Sequence, residues 1–199
     1  MAATRTRLDP SERRDNILQA GLRVFGRQAY EATSVEEVAL EAGMSTGLLY
    51  HYFPGKHALF TATYEYLAER FVAALSPQPG QAPWALIDKA LDVYLQYAQR
   101  YPGVILMLLR PAKGRQSDAA SLNDQLNARI AGLIAAGFGI RASDARRRTA
   151  IRAWLAFVDR AVLDMLESGK PPRSQVKAMA IAVLHAAIDA QPHATEVLS

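Results

Sequence analysis

Apolar residues recur at intervals of three and four along nearly the whole chain, and nowhere alternate with polar ones in the period of two that a half-buried strand requires. The pattern predicts an all-α protein of about nine helices. Asp9-Pro10-Ser11-Glu12 opens the first: Asp at the N-cap, Pro at the first helical position where its missing donor is harmless, and Glu at N3. This helix runs to about Gln28, with Ile17, Leu18, Gly21, Leu22 and Phe25 on one stripe. Ser34 and Glu37 then form an S-x-x-E capping box, and Val35, Val38, Ala39 and Ala42 share one face before Gly43 offers a left-handed stop. A third helix starts at Ser45, with Met44 and Leu49 spaced as a hydrophobic staple, and ends at Pro54-Gly55. Leu49, Tyr52 and Phe53 turn inward, so Thr46, Gly47, Tyr50 and His51 turn outward with Leu48 at their edge.

The fourth helix, from Lys56, carries Leu59, Phe60, Tyr64, Leu67, Phe71 and Leu75 at helical spacing and stops before the linker Ser76-Pro77-Gln78-Pro79-Gly80. Further helices are expected at about Pro83–Arg100, Pro102–Arg110, Ser117–Phe138, Ser143–Glu167 and Ser174–Ala190, with Pro111–Asp118 as a loop. The last two bury more than one face. Beside its main stripe, Ser143–Glu167 has a second one of Ala150, Ala153, Phe157 and Ala161. Val183 and Ala187 in the final helix are accompanied by Ala178, Ala182 and Ala186. Helices with two apolar faces this late in a chain need a partner outside their own core, and a two-fold four-helix interface would supply it. Ala153, Phe157, Ala161, Val183 and Ala187 are therefore the expected interface of a homodimer.

Composition narrows the picture without deciding it. A 199-residue chain with 50% hydrophobic residues can bury a sizeable core, and the lack of cysteine excludes a disulfide framework and thiolate metal sites. The start, MAATRTRLDPSERRD, lacks the apolar run of a signal peptide, and Val104–Leu109 is too short to span a bilayer, so a cytoplasmic protein without a membrane partner is expected. The net charge is +4, yet residues 1–56 hold equal numbers of basic and acidic residues. Cations sit at the ends of that segment, where Arg5 and Arg7 could form an arm contacting phosphates or a minor groove.

The outward face of the third helix bears hydroxyl, small, aromatic and imidazole groups, and no carboxylate occurs between Ala42 and Glu65. Such a face can approach phosphates without like-charge repulsion. Helix, glycine turn, helix is the helix-turn-helix arrangement, whose second helix enters a major groove by its N-terminal residues. The run ATSVEEVALEAGMSTGLLYHYFPGKHALF resembles the DNA-binding segment of the TetR family of transcriptional regulators, over roughly residues 11–60. One departure is Ala29, where the family commonly has Gly.

The resemblance implies a three-helix reading head at 1–55 and a helical ligand-binding and dimerisation bundle at 56–199. It puts DNA contacts on Thr33, Ser34, Ser45, Thr46, Gly47, Leu48, Tyr50, His51 and Lys56, and surrounds an effector cavity with helices bearing Tyr64, Leu67, Phe71, Tyr94, Tyr97, Met107 and Trp154. The expected function is a sequence-specific transcriptional regulator, a repressor released from a palindromic operator by a small hydrophobic or aromatic effector, with no cofactor and no metal. Two alternatives stay open. One is a constitutive or architectural DNA-binding dimer without effector. The other is an enzyme using His185 and Asp189, which share a helix face at i, i+4 but lack a third ligand, a Gly-rich phosphate loop or a G-x-S-x-G turn.

Overall fold

The computed structural model describes residues 9–75, 80–110 and 116–189. The expected arm with Arg5 and Arg7, linker residues 76–79, loop residues 111–115 and Ala190 lie outside the described residues. Among the described residues there are nine α-helices and no strand. They are α1 (Pro10–Arg27), α2 (Val35–Glu41), α3 (Thr46–Tyr52), α4 (Lys56–Ala74), α5 (Pro83–Arg100), α6 (Pro102–Leu109), α7 (Gln116–Gly137), α8 (Ala145–Ser168) and α9 (Arg173–Asp189).

Packing divides the chain into two compact units, one spanning 1–76 and 96–123 and the other 77–95 and 124–199. Within the first unit, α4 and α6 complete the core around α1. In this first unit Ile17, Leu18 and Phe25 of α1 meet Leu59 and Phe60 of α4 in a fully buried layer. Close approach requires a small residue at Gly21, where a Cβ would lie 2.5 Å from the Thr63 hydroxyl oxygen. That hydroxyl is wholly buried and donates to the Leu59 carbonyl at 2.7 Å, so it carries no unmet polar demand into the core. At the other end of α1, the start of α6 seats Gly103 against the Phe25 and Gln28 carbonyls, and Tyr101 covers Gly26. Only a residue without a Cβ fits there.

In the second unit, α8 and α9 form the main pair. Ile151, Trp154, Val158 and Val162 of α8 face Val176, Ala180, Leu184 and Ile188 of α9, all buried. The Trp154 indole N–H donates to the Ala180 carbonyl at 2.7 Å. Lys177 of α9 pairs with Asp88 and Asp92 of α5, both at 2.8 Å, which fixes α5 on the same pair.

Three local features differ from the expected elements. α8 is capped by Asp144 and not by Ser143: the Asp144 carboxylate accepts from the Arg147 N–H at 3.0 Å, a stronger charge-assisted bond than a hydroxyl could make. α9 begins at Arg173, one residue early, because the Pro172 carbonyl takes its first bonds, from Gln175 and Val176. A 3-10 turn at Tyr30–Ala32 has no counterpart in the apolar pattern, being too short to show a period. It sets the Tyr30 ring against Phe25 and Phe60, at centroid distances of 6.1 and 5.2 Å.

Candidate nucleic-acid interface

The helix-turn-helix is built by reciprocal caps. Ser34 accepts from the Glu37 N–H at 3.1 Å while Glu37 accepts from the Ser34 N–H at 2.7 Å, so two otherwise unpaired donors at the start of α2 are satisfied. The helix ends at Ala42 with Gly43 left-handed at φ 68, the Met44 N–H bonding the Ala39 carbonyl and the Gly43 N–H bonding Leu40. This is a Schellman closure, and it turns the chain straight into Ser45. Ser45 caps α3 by accepting from the Leu48 N–H at 3.3 Å. α1 holds the pair from behind: Asn16 donates to the Ala42 carbonyl at 2.9 Å and Arg23 pairs with Glu41 at 2.5 Å. Leu49, fully buried, and Phe53, nearly so, pin α3 to the core.

Gly47, Tyr50 and His51 are consequently exposed, with Thr46 and Leu48 half-buried at the edge of the same helix start. Tyr50 retains 45% of its surface, unusual for so large an aromatic side chain. Nothing lies within 4 Å of a Cβ built on Gly47, so the face is open there. Ser45 is exposed and Ser34 half-buried, both already acting as caps.

Two of the expected contact residues are held by the head itself. Thr33 is only 4% exposed and its hydroxyl donates to the Ala29 carbonyl at 3.1 Å, so it closes the 3-10 turn. Lys56 is drawn over the Tyr30 ring at 4.3 Å and donates to the Glu31 carbonyl at 3.3 Å. The cation–π seat and the carbonyl place its ammonium beside the start of α2 without neutralising it. Residue spacing could not show this, since the partner lies in the aperiodic turn. Ala29 has φ −62 and ψ 147, an extended conformation that needs no glycine.

The backbone N–H of Ser34, together with Gln28, holds the Glu37 carboxyl below its usual range even against the opposing effect of desolvation. Because the folded value lies below the unfolded one, this stabilisation is complete above the ordinary glutamate range and disappears as pH falls through the lowered value. We expect the thermal midpoint to fall between about pH 5 and pH 3, and Glu37→Gln to flatten that fall; an unaltered pH profile in the variant would remove Glu37 from the acid response.

The residues expected around an effector divide between the units. Tyr64, Leu67, Phe71, Tyr97 and Met107 belong to the first and Tyr94 and Trp154 to the second. Phe71 and Tyr97 rings lie 6.4 Å apart, and the Tyr64 hydroxyl donates to the Leu122 carbonyl at 3.5 Å. Tyr94 donates to Asp159 at 2.9 Å, and Asn127 donates to the other carboxylate oxygen at 2.9 Å. This polar node went unseen in the sequence, where Asp159 sits beside Arg160 like any solvated pair. Trp154 belongs to the α8–α9 seam.

Of the expected interface residues, Ala153 and Val183 are exposed and Phe157 and Ala187 half-buried, whereas Ala161 is 7% exposed and lies within the chain's own core. Met179, 38% exposed, joins Val183 on the outward face of α9 and was not anticipated. His185 stands 3.7 Å from Asp189 and is stacked on Trp84 at 3.5 Å. Among the described residues no group of three or more potential ligands could hold a metal.

These features define a helix-turn-helix head whose third helix presents an acid-free face, carried on a helical body. The family model for bacterial regulatory proteins of the tetR family matches residues 17–63, the segment that forms this head. Over that segment the chain is similar to the tetR family. It is 31% identical over 108 residues to the HTH-type transcriptional regulator AcrR of Shigella flexneri, an alignment covering 54% of this chain and 41% of that protein. Against RutR of Escherichia coli O157:H7 it is 29% identical over 136 residues, 64% of each. The chain thus spans less than two thirds of the length of these relatives. The fold extends further: a tetR-family transcriptional regulator from Streptomyces coelicolor superposes with a TM-score of 0.79 at 21% identity, over 90% of this chain and 82% of that one. FadR of Bacillus subtilis, solved in complex with stearoyl-CoA, matches with a TM-score of 0.64 at 15% identity, over 88% and 97%. No described helix is long and apolar enough to cross a membrane.

Proposed function

We propose that the chain is a sequence-specific DNA-binding transcriptional regulator acting in the cytoplasm as a homodimer, with a repressor's release from a palindromic operator by a small apolar effector. The observation that carries the reading is the open, acid-free start of α3, held rigidly by the caps and by α1. In this reading residues 1–55 read the operator through Ser34, Ser45, Thr46, Gly47, Leu48, Tyr50 and His51, with Lys56 as a phosphate contact. Residues 56–199 bind effector and partner, and no chemical reaction is assigned to them.

The base-reading and phosphate roles separate by experiment. Lys56→Ala should weaken binding to all duplexes alike and lower the slope of log affinity against log salt by about one. Substitution of Thr46 or Tyr50 should instead cost about 1–3 kcal/mol at particular base pairs. A selection from random duplexes in which Thr46 variants keep the parent preference would refute direct reading by that residue.

Control follows from α4, which begins directly after the Pro54-Gly55 stop and carries Tyr64, Leu67 and Phe71 into the core. A ligand alters DNA affinity only if it binds one arrangement of this helix better than the other. The apolar setting of these side chains, and the stearoyl-CoA in FadR, support an apolar or aromatic effector. The test is a thermal-shift screen of acyl thioesters and aromatic acids, followed by calorimetric titration of the hit with and without operator. Coupling requires the two affinities to differ, typically by about 1–3 kcal/mol. Equal affinities would leave a constitutive DNA-binding dimer.

A further inference from the structure

The start of α4 is electrostatically unusual. Lys56 is its first residue, no side chain caps it and no acid stands in its first turn. The N-terminal end of a helix carries a partial positive charge that favours acids, so an ammonium there weakens the helix slightly instead of supporting it. The structure shows what holds it. Lys56 Nζ lies 4.3 Å from the centre of the Tyr30 ring and donates to the Glu31 carbonyl at 3.3 Å. Both holders are uncharged, so the ammonium keeps its charge. The ring is itself fixed by packing: it stacks on Phe25 at 6.1 Å and meets Phe60 edge to face at 5.2 Å, and these two are each 1% exposed. The 3-10 turn that carries it is closed by the Thr33 N–H, which donates to the Tyr30 carbonyl at 3.2 Å.

A lysine side chain is flexible, and fixing it on a partner loses rotamer freedom. Here that freedom is already restricted by the fold, on a ring whose negative face attracts the cation without neutralising it. An ammonium has three donors, of which the Glu31 carbonyl takes one, and Lys56 is half-buried, so part of it stays open to solvent. Tyr30, Lys56 and the open face of α3 lie in one packed unit, and α1 ties them together: Phe25 touches the Tyr30 ring, while Asn16 and Arg23 hold the end of α2. The position of the ammonium relative to α3 is therefore set by the core of the head.

We propose that Tyr30 is a positioning residue for duplex binding: its ring face fixes the Lys56 ammonium at the place where it meets a phosphate of the DNA backbone. This rests on the reading of Lys56 as a phosphate contact. Tyr30 itself need touch no DNA, because it acts through the lysine, and its effect is the same on every sequence.

The test is fluorescence anisotropy of the full chain on a random-sequence 20-base-pair duplex from 50 to 300 mM KCl. Tyr30→Leu should weaken binding roughly three- to tenfold and lower the slope of log affinity against log salt toward that of Lys56→Ala. Tyr30→Phe, which keeps the ring face, should restore the parent values. In a Lys56→Ala background Tyr30→Leu should change nothing further, because the group it positions is gone. An equal loss in both backgrounds would mean that the ring serves only the packing of the head, and would overturn the proposal. Phenylalanines bearing one, two and three ring fluorines at position 30 keep the shape while draining the negative face, so affinity should fall stepwise with their number. A flat series beside a weakened Lys56→Ala leaves Lys56 as a phosphate contact and overturns the role of Tyr30. Lys56→Ala with parent affinity and slope removes the phosphate contact itself, and the role of Tyr30 falls with it.

Discussion

Gly103→Ala is expected to lower the stability of the chain by about 3 kcal/mol, the upper end of what overpacking usually costs. A Cβ at this position meets the carbonyl oxygens of Phe25 and Gln28, which are main-chain atoms at the end of α1 and cannot rotate aside. Relief requires that α6 withdraw from α1 and with it Val104, which is fully buried, and Ile105, nearly so. For a chain of this size the thermal midpoint should fall by roughly 5–15 °C. Gly47→Ala is the matched comparison: its Cβ would meet nothing within 4 Å, and alanine in a helix is worth about 0.5–1 kcal/mol over glycine. Calorimetry or circular dichroism on the two variants should therefore show opposite signs. Equal midpoints would mean that the α1–α6 joint is looser than its geometry.

The second large effect concerns assembly. Phe157→Glu together with Val183→Glu should convert the protein to monomers and reduce affinity for a palindromic duplex by about 10²–10⁴, the factor that linking two binding heads supplies. On the outward sides of α8 and α9, Ala153, Ala156, Ala182 and Ala186 are exposed beside Phe157, Val183 and Met179. Small residues there permit close helix approach, and the larger three provide anchors. A charge at the centre of such a face must be desolvated on association and has no partner across a two-fold axis except its own copy. The heads of a dimer should meet successive major grooves about 34–36 Å apart. Sedimentation and duplex binding check the two halves of the prediction. Dimers with undiminished affinity would move the interface elsewhere, and Ala161, which the chain's own core already buries, gives no help in finding it.

Local chemistry made most of the head readable. Caps, stops and stripes depend on residues three or four apart, so Asp9, Ser34, Gly43, Ser45 and Pro54-Gly55 mark boundaries that recur in the structure almost residue for residue. The inward Leu49 and outward Tyr50 follow from the same period. At the start of α8 the cap is the Asp144 carboxylate, one residue beyond the expected start at Ser143.

Everything that joins distant segments was decided by tertiary structure. The burial of Thr33, the seat of Lys56 on Tyr30, the Tyr94–Asp159–Asn127 node and the close fit of Gly103 all bring together groups that no spacing rule connects. The same is true of charge. Composition counts five arginines in 141–152, but only the fold shows that Arg147 pairs with the one acid while Arg141, Arg146 and Arg152 stay exposed. A helical period reports which side of an element is apolar; which neighbour satisfies a polar group depends on how helices cross, and that is set by the packing of whole side chains.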